Sequence, residues 1–183
     1  MPFRKLLSLF AVALSACGGR QHPAAGPTDK DGLLAVGTEL PDLVALDQNG
    51  KEHHLHEARG GFAVVYFYPK DATPGCTKEA CAIRDVWSLF EHAGVHVYGV
   101  SGDDVASKAD FAKEYKLTFP LLADTERRWI DAFGVPTTLG MAKRVTFLLD
   151  RQGKVAKVYR DVDPGVHAKQ LLADIDAMDP RVP

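Results

Sequence analysis

The stretch FAVVYFYPKDATPGCTKEAC (residues 62–81) decides the fold, because a strand signal, a loop and a helix start follow one another directly. The apolar run 62–68 is continuous and has the length of a strand that is buried on both faces of a sheet. A polar loop follows Pro69, and Cys76 stands where the next helix should begin. Unpaired N–H groups and the positive end of the helix dipole favour a thiolate at such a position. The stretch therefore predicts a candidate catalytic thiol.

Strands and helices are predicted on both sides of this stretch. The pair Asn49-Gly50 lies between two short apolar runs and predicts an N-terminal β-hairpin. Helices are predicted where apolar residues recur at intervals of three and four, and Thr125 and Pro164 fit helix starts. The predicted strands are 43–46, 53–55, 62–68, 95–100, 121–122, 145–149 and 154–159, and the predicted helices are 77–92, 104–116, 125–133 and 164–178. This order predicts an α/β fold with a central mixed sheet flanked by helices.

Length and composition indicate a single globular domain. The chain has 183 residues, of which 46% are hydrophobic and 25% are charged. The 22 lysines and arginines nearly balance the 24 aspartates and glutamates, so the composition gives no electrostatic attraction to a polyanion. We therefore expect no nucleic-acid partner.

The N-terminal residues have the pattern of an export signal. Arg4 and Lys5 precede an apolar run, residues 6–14, that is too short to span a bilayer. The residues LSAC (14–17) resemble the lipobox of bacterial lipoproteins, which implies lipid attachment at Cys17 and a membrane anchor. Residues 17–36 are rich in Gly, Pro and Ala and lack periodicity, so they are predicted to be a flexible tether. The predicted division is a signal peptide (1–16), the tether (17–36) and one domain (37–183).

This interpretation also predicts a location. A lipoprotein of this kind would lie in the bacterial cell envelope and face the periplasm. Gly18 follows Cys17 where an acidic residue would retain some lipoproteins at the inner membrane, so the outer membrane is favoured. The alternative is an ordinary signal peptide in which Cys17 has no role.

The residues PKDATPGC (69–76) match the Pro-x-x-x-Thr-x-x-Cys motif of peroxiredoxins, which are thioredoxin-fold enzymes that reduce hydroperoxides. The longer string that ends at Cys81 resembles the bacterioferritin-comigratory-protein or Q-type subgroup of the alkyl hydroperoxide reductase and thiol-specific antioxidant family. The resemblance extends through VYGVSGDD, FPLLAD and RVTFLLDRQGKV, and so covers the chain from about Gly37 to Met178. It implies a thioredoxin-like fold.

The resemblance also implies roles for five residues. Cys76 would be the peroxidatic cysteine, Thr73 would hydrogen-bond the thiolate and the peroxide, and Pro69 would shield the sulfur. Arg144 is the best match to the family's arginine beside the thiolate, and Cys81 would be the resolving cysteine. The implied enzyme is a thioredoxin-dependent, atypical 2-Cys peroxidase that reduces hydrogen peroxide and organic hydroperoxides through an intramolecular disulfide. A thioredoxin-like reductant would reduce the disulfide again. The implied enzyme is a monomer and uses no metal or cofactor.

The spacing of the two cysteines makes a structural demand. In an intact helix, Cα atoms five positions apart are separated by about 8.6 Å. A disulfide does not usually bridge more than about 7 Å between Cα atoms. If Cys76 and Cys81 bond, the first turns of the helix must therefore unwind in each catalytic cycle.

Other interpretations of the thiols remain open from the residues alone. Two cysteines in an exported protein can form a structural disulfide, and a membrane-anchored thiol-disulfide oxidoreductase shares the thioredoxin fold. A lipoprotein that uses its domain only for binding is a third possibility. Metal binding by Cys76 and Cys81 is less favoured, because no second pair of ligands has suitable spacing.

Two polar clusters are interpreted as structural. His53, His54 and His56 are taken as surface residues of the first hairpin rather than metal ligands. The pair Asp103-Asp104 is expected to cap a helix rather than act as a catalytic dyad.

Overall fold

The structure, a computed structural model, describes residues 24–179, and in these residues a seven-stranded sheet lies between two layers of packed side chains. The predicted signal peptide and Cys17 lie outside the described residues. The longest helices among these residues have 12 residues, which is too few to span a bilayer.

The sheet is mixed, as the sequence predicts. Its strands are β1 (Val44–Leu46), β2 (Glu52–His54), β3 (Ala63–Phe67), β4 (His96–Ser101), β5 (Leu121–Ala123), β8 (Val145–Leu149) and β9 (Val155–Tyr159), in the spatial order β2-β1-β5-β4-β3-β8-β9. Strands β3, β4 and β5 are parallel, and the remaining pairings are antiparallel. A separate small hairpin is formed by β6 (Thr137–Thr138) and β7 (Met141–Ala142).

The helices are α1 (Pro74–Asp85), α2 (Trp87–His92), α3 (Val105–Tyr115), α4 (Arg128–Ala132) and α5 (His167–Met178), with one 3-10 helix at Leu55–Ala58. The predicted helix 77–92 is two helices, because the chain leaves helical geometry at Val86. Asp104 caps α3 through the Ser107 amide, as expected. Thr125 does not cap α4, since the Asp124 carboxylate instead accepts the amides of Trp129 and Ile130.

Strand β3 lies in the middle of the sheet because both of its faces are apolar. All five of its residues are buried, and their side chains alternate between two core clusters. Val65 and Phe67 point into one cluster, with the aromatic side chains of α4 and β8. Val64 and Tyr66 point into the other cluster, which also contains Cys76. One face of the central strand thus packs in the same core cluster as the candidate thiol.

Residues 24–36 correct the prediction of a flexible tether. Leu33 and Leu34 are buried in the core, and the Leu34 amide donates to the Phe133 carbonyl at 3.0 Å. The Ala25 amide donates to the Ala132 carbonyl at 2.9 Å. Two adjacent leucines supply enough apolar surface to pack against α4, and the surrounding Gly, Pro and Ala residues obscure that signal in the sequence.

The first hairpin forms as its Asn-Gly turn predicts, but His53 is not a surface residue. Only 8% of His53 is exposed, and its Nε2 lies 3.0 Å from Asp47 Oδ2. The other oxygen of Asp47 accepts hydrogen bonds from the amides of Asn49 and Lys51. One carboxylate therefore pairs with the turn amides and with the His53 imidazole. His54 lies between Asp42 and Glu52. Among residues 24–179 no group of three or more His, Cys, Asp or Glu could hold a metal ion.

Candidate active site

Helix α1 places Cys76 in its first turn. Thr73 is the N-cap and Pro74 is the first helical residue, a position where the missing proline N–H costs nothing and the fixed φ suits the helix. The first-turn amides of a helix lack intrahelical partners and carry the positive end of its dipole. Cys76 is only 2% exposed and is a free thiol. A buried sulfur therefore lies at the end of the helix that favours negative charge.

Arg144 contacts this sulfur from the neighbouring strand. The pairing of Phe67 with Val145 brings the start of β8 beside the end of β3, where the active-site loop begins. From there the Arg144 Nη2 donates to Cys76 Sγ at 3.2 Å, and Nη1 forms an ion pair with Glu79. A Cβ added at Gly75 would lie 3.2 Å from Nη2, so glycine there leaves room for the guanidinium.

Glu79 lies one turn after Cys76 on the same face of α1, and it is 1% exposed. Burial raises the pKa of Glu79 from 4.5 to about 7, although the Arg144 guanidinium acts in the opposite direction. Burial alone would lower the pKa of Arg144, but Glu79 and Cys76 outweigh burial and raise it. The site thus contains one cation between a sulfur and a buried carboxyl group.

The hydroxyl of Tyr66 lies in the same buried region. It has no hydrogen-bond partner within the described residues, and neither does Glu79 Oε1. The pKa of Tyr66 is raised well above its usual range, first by burial and then by the charges of Glu79, Asp71 and Cys76. The sequence interpretation missed Glu79 and Tyr66. Glu79 had a usable signal, because positions three apart on a helix share a face.

The other predicted residues differ in how closely they approach the sulfur. Pro69 is half-buried and lies two residues after the end of β3. The Thr73 hydroxyl donates to the Lys70 carbonyl at 3.0 Å, and not to Cys76. The structure therefore brings Arg144 to the sulfur and leaves Thr73 turned toward its own loop.

Cys81 lies in α1 as well, and it is also a free thiol. It is partly exposed, whereas Cys76 is buried. Arg84 does not reach Cys76; its Nη1 donates to the Tyr115 carbonyl at 2.6 Å. The pKa of Arg84 is raised by its hydrogen bond to Asp85 and, to a smaller extent, by Cys81. In this conformation the two cysteines occupy separate environments on one continuous helix.

The geometry and the sequence agree with one protein family. Residues 36–158 match the AhpC/TSA family, and the chain belongs to that family. Peroxiredoxin Q of Oryza sativa subsp. japonica, a chloroplastic protein, is 38% identical over 170 residues, which are 91% of this chain and 76% of the relative. Chloroplastic peroxiredoxin Q of Arabidopsis thaliana is 42% identical over 144 residues, covering 77% and 67% of the two chains.

Solved structures give the same result. The peroxidoxin BcpB of Mycobacterium tuberculosis superposes with a TM-score of 0.72 at 34% identity, covering 78% of this chain and 97% of that chain. The bacterioferritin comigratory protein of Xanthomonas campestris superposes with a TM-score of 0.73 at 34% identity, covering 79% and 99%. These similarities confirm the thioredoxin-like fold and the resemblance to Q-type peroxiredoxins. The protein is a thiol-dependent peroxidase.

The relatives overturn the predicted location. The plant relatives named above are chloroplastic proteins, so the prediction of a periplasm-facing lipoprotein of the bacterial outer membrane is wrong. The prediction depended on residues 4–18, which precede the part of the chain that matches the family. A short apolar run after basic residues records a targeting pattern, and it does not identify the destination.

The raised pKa of Glu79 predicts a pH-dependent stability. Between about pH 5 and about pH 7 the folded protein holds a proton on Glu79 that the unfolded chain has released, so stability falls as pH rises and levels off above the folded pKa. Relative to Glu79→Gln, which cannot titrate, the wild type should lose on the order of 2 kcal/mol over this range. Urea denaturation of both proteins at the two pH values measures the difference. The exposed Glu91→Gln is the control, and a Glu79→Gln profile parallel to the wild type would contradict the assignment.

Proposed function

We propose that the protein reduces hydroperoxides at Cys76, that Cys81 resolves the oxidised sulfur within the same chain, and that a thioredoxin-like dithiol protein restores the two thiols. The observation that carries the proposal is the 3.2 Å contact between Arg144 Nη2 and the sulfur of Cys76, in the first turn of α1. A cation and a helix N-terminus both stabilise a thiolate relative to a thiol. The thiolate is the form that acts as a nucleophile.

In the first step the Cys76 thiolate attacks one oxygen of the peroxide. An S–O bond forms and the O–O bond breaks, so the sulfur is oxidised to a sulfenic acid and the peroxide is reduced to an alcohol or water. The leaving oxygen takes up negative charge before it is protonated. Arg144 is suited to stabilise that charge, because its guanidinium already lies beside the sulfur.

Thr73 and Pro69 are proposed to serve the same step. Rotation of Thr73 about χ1 would turn its hydroxyl from the Lys70 carbonyl toward the sulfur and the bound peroxide. Pro69 has no N–H to offer and is half-buried, which suits a residue that limits the access of water to the sulfur.

In the second step the Cys81 thiolate attacks the sulfenic sulfur, an S–S bond forms, and hydroxide leaves and is protonated to water. Both cysteines lie in α1, and five helical positions separate Cα atoms by about 8.6 Å, beyond the usual reach of a disulfide. We infer that the first turns of α1 unwind for this step. Because both sulfurs belong to one chain, the cycle needs no second subunit, and we propose that the enzyme works as a monomer.

In the third step an external dithiol reduces the disulfide by thiol–disulfide exchange. Two electrons pass from that dithiol to Cys76 and Cys81, and the reductant becomes oxidised. Unwinding of α1 would expose the disulfide, which gives a thioredoxin-like protein access to a sulfur that is 2% exposed in the folded helix.

A surface cavity beside the active-site loop supports organic hydroperoxides as substrates in addition to hydrogen peroxide. The cavity has a volume of about 300 Å³ and is lined by Pro69, Lys70, Gly102, Asp103, Leu139, Gly140 and Met141. Leu139 is 92% exposed at the tip of the β6–β7 hairpin, with φ of 52°. A non-glycine residue is uncommon in that left-handed conformation, and Leu139 together with Met141 gives the cavity an apolar edge. The Xanthomonas campestris relative is described in connection with alkyl peroxide reduction.

Cysteine variants test the proposed cycle. Cys76→Ser should reduce peroxide consumption to the uncatalysed background, because the attacking sulfur is absent. Cys81→Ser should consume one peroxide per chain and then stop when thioredoxin is the only reductant. Stopped-flow and steady-state peroxide assays measure the two effects. A Cys76→Ser variant that keeps multiple turnovers would contradict the proposal, and disulfide reduction without peroxide consumption would instead indicate a thiol-disulfide oxidoreductase.

A hairpin variant tests the substrate class. Leu139→Asn suits the left-handed backbone but removes the apolar contact, so kcat/KM for cumene hydroperoxide should fall about fivefold relative to hydrogen peroxide. Leu89→Asn removes a leucine that is 54% exposed on α2 and is the control for general effects of losing a surface leucine. Equal ratios of the two kcat/KM values in wild type and Leu139→Asn would show that the cavity does not bind the alkyl group.

A further inference from the structure

A buried lysine lies behind the loop that leads to Cys76. Lys108, on α3, has 0% exposure although lysine is rarely buried. Its Nζ donates to the Ser101 hydroxyl at 2.7 Å and to the Tyr68 hydroxyl at 2.9 Å, and it lies 3.4 Å from Asp71 Oδ1. Burial lowers the pKa of Lys108, while the charge of Asp71 opposes that effect. A charged group in this position is retained only because it is fully engaged.

Asp71 connects the lysine to the loop. Its Oδ1 accepts the Tyr68 hydroxyl at 2.6 Å and its Oδ2 accepts the Ser107 hydroxyl at 2.9 Å. Its amide donates to Asp103 Oδ2 at 2.9 Å. The carboxyl ends of the parallel strands β3 and β4 meet α3 here, and the Lys108–Asp71 cluster (Tyr68, Asp71, Ser101, Asp103, Ser107 and Lys108) joins all three.

The loop held by this cluster contains a strained residue. Ala72, between Asp71 and Thr73, has φ of 57°, in the left-handed region that costs a non-glycine residue about 1 kcal/mol or more. Such a conformation persists only when the surrounding contacts impose it. The Lys108–Asp71 cluster fixes the residue before Ala72. The hydrogen bond from the Thr73 hydroxyl to the Lys70 carbonyl closes the loop across Ala72.

We propose that Lys108 is a positioning residue for peroxide reduction, acting through Asp71 to hold residues 70–73 in the conformation that presents Thr73 and the start of α1 to the peroxide. The proposal rests on the proposed reaction at Cys76. Releasing the loop would carry Asp71 away from Lys108 and leave a buried ammonium without its counter-charge, which is strongly unfavourable. The loop therefore stays in place up to Thr73 while α1 unwinds beyond it.

Lys108→Met in the full-length reduced protein tests this role. The rate constant for oxidation of Cys76 by hydrogen peroxide should fall at least about tenfold, because displacement of a reacting group by a fraction of an ångström has effects of that size. The rate of Cys76 alkylation by iodoacetamide, followed by peptide mass spectrometry, should stay within about twofold of the wild type. Alkylation needs the Cys76 thiolate but not the peroxide-binding loop. General unfolding, in contrast, would expose Cys76 and raise the alkylation rate.

A second Lys–Asp–Tyr set provides the control. Lys157 Nζ donates to Asp174 Oδ2 at 2.8 Å, and the Tyr159 hydroxyl donates to the same oxygen at 2.7 Å. This set joins β9 to α5, and its two hydrogen bonds involve no residue of the loop 69–73. Lys157→Met should leave both rate constants at the wild-type values.

Ser107→Ala keeps the proposal testable if Lys108→Met does not fold. This variant removes only one hydrogen bond to Asp71, and the peroxide rate constant should fall about threefold with unchanged alkylation. The proposal is overturned if folded Lys108→Met reacts with peroxide within twofold of the wild type, or, where Lys108→Met is unfolded, if Ser107→Ala does so. A wild-type protein that does not consume peroxide would refute the proposed function itself, which is a separate outcome.

Discussion

The contact between the Arg144 guanidinium and the Cys76 sulfur depends on three parts of the fold meeting at one point. The central strand β3 ends beside the start of β8, which brings Arg144 to the active-site loop. Pro74 starts α1 immediately after that loop, so that Cys76 falls in the first helical turn. Glu79, one turn further along α1, holds the other side of the guanidinium. A sulfur, a cation and a carboxyl group are thus aligned by elements that the hydrophobic core fixes.

Helix α1 has two conflicting tasks in this account. Its intact first turn supplies the amides and the dipole that favour a thiolate at Cys76. The same helix keeps Cys81 too far away to form a disulfide with normal geometry. The packing of α1 is compatible with both tasks. Ala80 and Ile83 are buried against the sheet, whereas Cys81, which must move, is partly exposed. The Lys108–Asp71 cluster defines where the unwinding stops, because it fastens the loop that precedes the helix.

The sequence was most informative where local signals and burial agree. The run 62–68, the Asn49-Gly50 turn and the motif 69–76 predicted the central strand, the first hairpin and the thiol, because each depends on neighbouring residues. The packing of Leu33 and Leu34 on α4, the burial of His53 against Asp47 and the Lys108–Asp71 cluster could not be read in this way. Each joins residues whose proximity only the tertiary structure creates. The break at Val86 likewise interrupts an apolar pattern that is continuous in the sequence.

The most direct test of the central claim is amide hydrogen exchange of residues 77–81 in the reduced and peroxide-oxidised protein, with the Cys76–Cys81 disulfide verified by mass spectrometry in the oxidised sample. We expect slow exchange in the reduced protein, where these residues belong to α1, and exchange at least about tenfold faster after oxidation. Equal protection of these amides in both states, with the disulfide present, would contradict the claim that α1 must unwind for Cys81 to reach Cys76.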